Sequence, residues 1–183
     1  MKYWSKSALS IYRYLETMSN SIDKLVLDTG KSSYTRDITK FQTTNFQTGR
    51  MISLIDRKRK LVNLKVVIEE GLAGISRDSR RMLTLFYIDG ITASLISQLL
   101  GISLRTFFRQ KMKALNEFSD KLTSLGYGKE FFDDEYLGEP WFDVIYNEVL
   151  GESNEEERVL EGVFVKNMLN DVSKIRSFCN TYI

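Results

Sequence analysis

The chain of 183 residues is 43% hydrophobic and 27% charged, enough apolar content for one good core or two small ones, and it holds no histidine and one cysteine, Cys179. That composition excludes an internal disulfide, a cysteine-cluster metal site, histidine-dependent hydrolysis and zinc catalysis, since histidine is the commonest zinc ligand and the usual general base near neutral pH. The net charge of +2 hides an asymmetry: residues 1–128 carry 21 Lys+Arg against 11 Asp+Glu, and residues 129–161 carry 2 against 12, a pattern that fits either a polyanionic partner for the basic body or two solvated faces.

No run of eighteen apolar residues occurs, and the opening MKYWSKSALSIYRYLE lacks the apolar core and cleavage site of a signal peptide, so a cytoplasmic protein without a membrane segment is expected. Apolar residues at Trp4, Ala8, Ile11, Tyr12, Leu15, Met18, Ile22 and Leu25 predict a helix over 4–26. From 28 to 49 the chain turns to Ser, Thr, Gln, Asn and Gly, which predicts a long loop or a short hairpin. A long helix over 51–72 follows, with Ile52, Ile55, Leu61, Leu64, Ile68 and Leu72 inward and the basic run Arg57, Lys58, Arg59 and Lys60 turned to solvent or nucleic acid.

Ser76 is placed to cap a helix over 77–88 with a Met82, Leu85 and Phe86 stripe, ended by Asp89-Gly90. Thr92 caps a short helix through Leu99, Gly101 follows it, and Ser103 caps a longer helix from Leu104 to about Leu125. Beyond Gly126 the chain is acidic, aromatic and turn-rich, and helices are expected over 141–150 and 154–178. The whole reads as an all-α, multi-helix protein in three segments: an N-terminal helical region 1–74, a helix-turn-helix module 75–126 and an acidic helical region 127–183.

A helix-turn-helix requires particular residue types at fixed offsets. With Ala93 as position one, the small fifth residue is Ser97, and the ninth, which must allow a positive φ, is Gly101. The apolar fourth, eighth, tenth and fifteenth are Ile96, Leu100, Ile102 and Phe107; only the eighteenth, Gln110, departs. The same spacing would also serve an αα-corner of a helical bundle that never meets DNA.

The span from Ile75 to Leu122, ISRDSRRMLTLFYIDGITASLISQLLGISLRTFFRQKMKALNEFSDKL, resembles the fourth conserved region of sigma factors. The shared pattern is Leu-x-Tyr-x-x-Gly at 85–90, Leu-Gly-Ile-Ser at 100–103 and Ala-Leu at 114–115. The KALNEF ending is also similar to ArpU-like phage transcriptional regulators. The resemblance covers about a quarter of the chain and implies a tri- or tetrahelical DNA-binding module whose second helix enters the major groove. By position it implies base contacts for Arg105 and Arg109, each able to donate two bonds to a guanine. Thr106, Gln110, Lys111 and Lys113 would then meet phosphates or flanking edges, as would the backbone N–H groups at Thr92 and Ser103. Phe108 either touches a thymine methyl or packs under the acidic C-terminal part, burial being what an aromatic favours.

The run Arg57 to Lys60 is a candidate accessory clamp on the DNA backbone, or a solvated helix face. Glu130, Asp133, Asp134, Glu135 and Glu139 form one contiguous run and do not converge from separate elements, which argues against a two-metal nuclease. Trp141, Phe142 and Tyr146 are read as the anchor of the C-terminal helices. The acidic segment could contact the basic face or meet another protein. The expected function is that of a sequence-specific regulator of transcription that binds double-stranded DNA, catalyses nothing and needs no cofactor or metal. A helical adaptor, or a divergent sigma-like factor acting with RNA polymerase, is the alternative. A homodimer is plausible through Ser103 to Leu125 or through 154–178, because one module binds weakly alone.

Overall fold

The structure, a computed structural model, describes residues 2–32 and 44–151, and there it is all-helical. The elements are α1 (Tyr3–Ser32), α2 (Thr44–Ala73), α3 (Arg77–Leu83), a π-helical turn (Thr84–Ile88), α4 (Ala93–Leu100), α5 (Leu104–Ser124), α6 (Lys129–Tyr136) and α7 (Pro140–Gly151). No helix among the described residues is long and apolar enough to cross a membrane.

α1 forms because Trp4, Ala8, Ile11, Leu15, Met18 and Ile22 recur at steps of three and four, and all six are buried. It packs antiparallel to α2, as shown by Lys58 Nζ on Asp23 Oδ1 at 2.6 Å and by Tyr12 Oη donating to Glu69 Oε1 at 2.7 Å. The expected loop over 28–49 is partly replaced by helix: α1 continues over 28–32 and α2 begins at Thr44, while 33–43 lies outside the described residues. Hydroxyl-rich sequence suggests a loop because Ser and Thr compete for backbone hydrogen bonds. Here Thr29 Oγ1 bonds back to the carbonyl four residues earlier, Leu25 O, at 2.7 Å, as Ser21 Oγ does to Thr17 O at 2.9 Å earlier in the same helix.

The phase of α2 also differs from expectation. Leu61, Leu64, Ile68 and Leu72 are buried as expected, but the inward residue of the first turns is Leu54, whereas Ile52 and Ile55 are 56% and 54% exposed. Counting back seven from Leu61 on the α1-facing side gives Leu54, so Ile52 and Ile55 belong to a second apolar face.

The predicted helix over 77–88 is divided. α3 ends at Leu83 and five residues of π-helix follow, closed by Asp89 N–H donating to Thr84 O at 2.9 Å. The extra residue sends Leu83 and Tyr87 into the main core, while Met82, Leu85 and Phe86 face α4 and α5. Ser76 does not cap α3 with its own side chain. Instead Glu117, from α5, accepts from Ser76 N at 2.6 Å, Ser76 Oγ at 3.0 Å and Ser79 Oγ at 2.6 Å. The Ser79 bond above all, then the Ser76 bonds, hold the Glu117 carboxyl below its ordinary range. A lowered folded pKa stabilises above the unfolded value and is lost as pH falls through the folded one. Glu117→Gln should therefore cost about 1 kcal/mol near neutrality. Its deficit against wild type should shrink as the pH drops below the ordinary glutamate range near about 4.3, a trend thermal unfolding across pH would record.

One large core draws on α1, α2, the π turn, the C-terminal half of α5, α6 and α7, so residues of all three sequence segments share it. α5 crosses α2 closely at Gly71, where a Cβ would lie 2.7 Å from Leu122 Cδ2 and Phe118 Cε2. At the start of α1 it is tied by the Ser5 and Ser119 hydroxyls, 2.5 Å apart, and by Lys2 Nζ on Asp120 Oδ1 at 2.6 Å. α6 was not expected. Its Phe132 and Tyr136 are buried on Trp4 and Trp141, with ring centroids 4.8 and 5.9 Å apart respectively, and this aromatic packing orders an otherwise acidic stretch. α7 matches the predicted 141–150 helix and is anchored by buried Trp141 and Phe142, with Tyr146 half-buried beside them. The predicted helix over 154–178 lies outside the described residues, as does Cys179.

Candidate nucleic-acid interface

The corner between α4 and α5 is built from local signals. Thr92 Oγ1 accepts from Leu95 N at 3.3 Å and starts α4. Gly101 ends it at φ +64°, ψ +31°, a left-handed conformation that costs any residue with a Cβ. The Ile102 N–H then returns to Ser97 O at 2.9 Å. Ser103 Oγ accepts from Thr106 N at 3.2 Å and starts α5. Ser97, where the helices touch, is buried, with its hydroxyl donating to Ala93 O at 2.7 Å, so no polar group is stranded there.

Ile96, Phe107 and Met82 form a second, smaller core, with Leu100, Ile102 and Phe108 packed around it. α5 thus serves two cores. Its first turns seat the small cluster through Phe107, and its last turns sit in the large one through Ala114, Leu115, Phe118 and Leu122. The helix is fixed at both ends, so the side chains on its outer face are held on a rigid support.

That outer face carries Arg105, Arg109, Met112, Lys113 and Asn116, all exposed. Arg105 and Arg109 lie one turn apart at the N-terminal end, opposite the Phe107 and Ala114 side, and no ion pair holds either among the described residues. Gln110, Thr92 and Ser103 are exposed, and Thr106 is half-buried with its hydroxyl 2.9 Å from that of Ser103.

Lys111 is corrected. The sequence reading gave it to phosphate, but it is 4% exposed and its ammonium lies 4.3 Å from the Phe86 ring centroid and 5.2 Å from that of Phe108. The inward line of α5 runs 107, 111, 114 and 118, not through 110. Lys111 fills the slot with its carbon stem, and the negative faces of two rings hold the charge. This also explains the one departure from the motif: Gln110 is exposed because its neighbour takes the inward place. Phe108 is half-buried and packs edge-on to Phe107, centroids 5.3 Å apart, at the edge of the small core.

The basic run does not present one face. Successive helical residues diverge by about 100°, so the four side chains of the run fan around α2. Lys58 is tied to Asp23, Lys60 to Glu139 Oε1 at 2.8 Å, and Arg59 lies 3.8 Å from Asp56. Arg57 is half-buried beside Leu54, Leu61 and Trp141. Two of the four thus hold helices together, which leaves Arg59 as the outward cation of the proposed clamp. The acidic segment meets this run through Glu139, but no ion pair joins 129–151 to Arg105, Arg109 or Lys113 among the described residues. Among the described residues no three carboxylates converge there.

Three apolar residues at the corner escaped the sequence reading. Leu95, Leu99 and Leu104 are 52%, 57% and 48% exposed. Their signal was present: Leu95 and Leu99 are four apart and out of phase with buried Ile96, so they share an outward stripe of α4. Compared with protein-family models, with curated proteins and with solved structures, the chain finds no match.

Proposed function

We propose that this chain is a cytoplasmic, sequence-specific DNA-binding regulator of transcription that uses the α4–α5 corner as a helix-turn-helix like that of the fourth sigma region. The observation that carries the reading is the outward pair Arg105 and Arg109, exposed one turn apart at the start of a helix that two cores immobilise. A guanidinium so placed donates two parallel bonds to guanine O6 and N7. Lys113 and the first-turn N–H groups behind the Thr92 and Ser103 caps supply phosphate contacts, with Thr106 and Gln110 at the flanks. Affinity comes from counterion release and selectivity from the arginines, so the mechanism is binding without catalysis. RNA polymerase is the protein partner that the sigma resemblance points to.

Selection of bound duplexes from a random library is the direct test. A guanine-containing consensus is expected. Arg105→Ala and Arg109→Ala should each cost about 1–3 kcal/mol on the selected site and relax specificity at one position. Lys113→Ala should weaken all sequences alike and flatten the salt dependence. A selected site bound equally well by the double arginine variant would overturn the assignment.

A second reading, a helical protein adaptor, is favoured by exposed Leu95, Leu99 and Leu104, which form an apolar rim around the same corner. A gel shift on random duplex at low salt separates the two, since an adaptor gives no complex that added salt dissolves.

A further inference from the structure

α2 is apolar on two opposite sides. One side, Leu54, Leu61, Leu64, Ile68 and Leu72, is buried against the rest of the chain. The other carries Ile52, Ile55, Val62, Val66 and Ala73, the first four between 46% and 56% exposed and Ala73 exposed as well. With Arg59 and Glu69 the outward positions 52, 55, 59, 62, 66, 69 and 73 alternate steps of three and four, the seam of a two-helix coiled coil. A helix serving a single core needs one apolar stripe, and among the described residues the second is left exposed.

We propose that this face joins two copies of the chain, α2 against α2, antiparallel about a two-fold axis at position 64. The occupant is a second copy because the seam is complementary to itself in that register. Val62 of one copy meets Val66 of the other, Ile55 meets Ala73, and Arg59 meets Glu69, and the axis repeats each contact. Neighbouring registers fail: one heptad shorter, Arg59 lies on Val62 and Ile52 on Glu69; one heptad longer, Glu69 lies on Val66. Both charges are available for the pairing. Among the described residues Arg59 is held only by the 3.8 Å contact to Asp56, with both side chains more than half exposed, and the Glu69 carboxylate uses Oε1 for Tyr12. The seam spans about 30 Å at 1.5 Å per residue, an interface at the small end of the stable range, so a reversible micromolar dimer is expected.

The seam uses no residue of the α4–α5 corner, and the inference stands independently of the base contacts proposed there. Sedimentation equilibrium of the full chain, from low to high micromolar concentration and without DNA, tests it. Wild type should pass from monomer to dimer. Val62→Glu/Val66→Glu and Arg59→Glu should each raise the dissociation constant by at least about tenfold, and Arg59→Glu/Glu69→Arg should recover most of that loss. The substituted side chains are solvent-exposed, so circular dichroism should remain that of the wild type. A wild type that stays monomeric throughout, a dimer that survives Val62→Glu/Val66→Glu, or a charge exchange that restores nothing would overturn the proposal.

Discussion

Phe107→Ala is expected to cost about 3–5 kcal/mol, the usual range for removing a fully buried phenyl ring, and to act unevenly across the molecule. Phe107 is fully buried, yet among the described residues its cluster contains only two other buried residues, Met82 and Ile96. Its rings of contact are Phe86, 5.8 Å between centroids, and Phe108. The large core holds Ala114, Leu115, Phe118 and Leu122 of the same helix and does not include Phe107. Loss of the ring should therefore release α4 and the first turns of α5 while α1, α2 and the end of α5 stay folded. Hydrogen exchange resolves this: protection should collapse across 93–110 and persist in α1 and α2. Uniform loss across the chain would show that the two clusters unfold as one unit. If the corner binds DNA, this variant should lose binding at temperatures where most of its helix content survives, because Arg105 and Arg109 depend on Phe107 for their placement.

The corner was legible in the sequence because its determinants are local. A cap at Thr92, a left-handed glycine at 101, a cap at Ser103 and an apolar residue four positions on act within a few residues, and the structure places each as its chemistry requires. The parts that were not legible depend on which neighbour arrives. α2 has two apolar sides, and periodicity alone could not choose the one α1 would cover, so Ile52 and Ile55 were given to the core. The π turn at 84–88 becomes visible only when Leu83 and Met82 have separate cores to enter. α6 was hidden by its carboxylates, since Phe132 and Tyr136 become buried anchors only against Trp4 and Trp141, distant in sequence. The cap of α3 comes from Glu117, forty-one residues from Ser76, and no local motif could announce it. Within the candidate site Arg105 and Arg109 are exposed as expected, whereas Lys111 was misplaced because charge was taken as evidence of exposure.

Lys111→Glu turns that error into a test with a large expected effect. A carboxylate in the same slot would face the negative faces of Phe86 and Phe108 in place of an ammonium that they attract, and it would do so at a site only 4% exposed. Burial of a charge against apolar and repulsive neighbours should cost at least about 3 kcal/mol. Lys111→Met keeps most of the stem volume and should stay within about 1.5 kcal/mol of wild type. The pair also separates the structural role from the one the sequence suggested. A lysine contacting phosphate would make Lys111→Met weaken DNA binding and reduce the salt slope by about one unit. A lysine packed under the helix should leave both unchanged in Lys111→Met, while Lys113→Ala, one turn face away and exposed, alters them. Chemical denaturation paired with salt-dependent binding titrations of the two Lys111 variants decides between these outcomes, and a Lys111→Glu protein as stable as wild type would refute the buried placement itself.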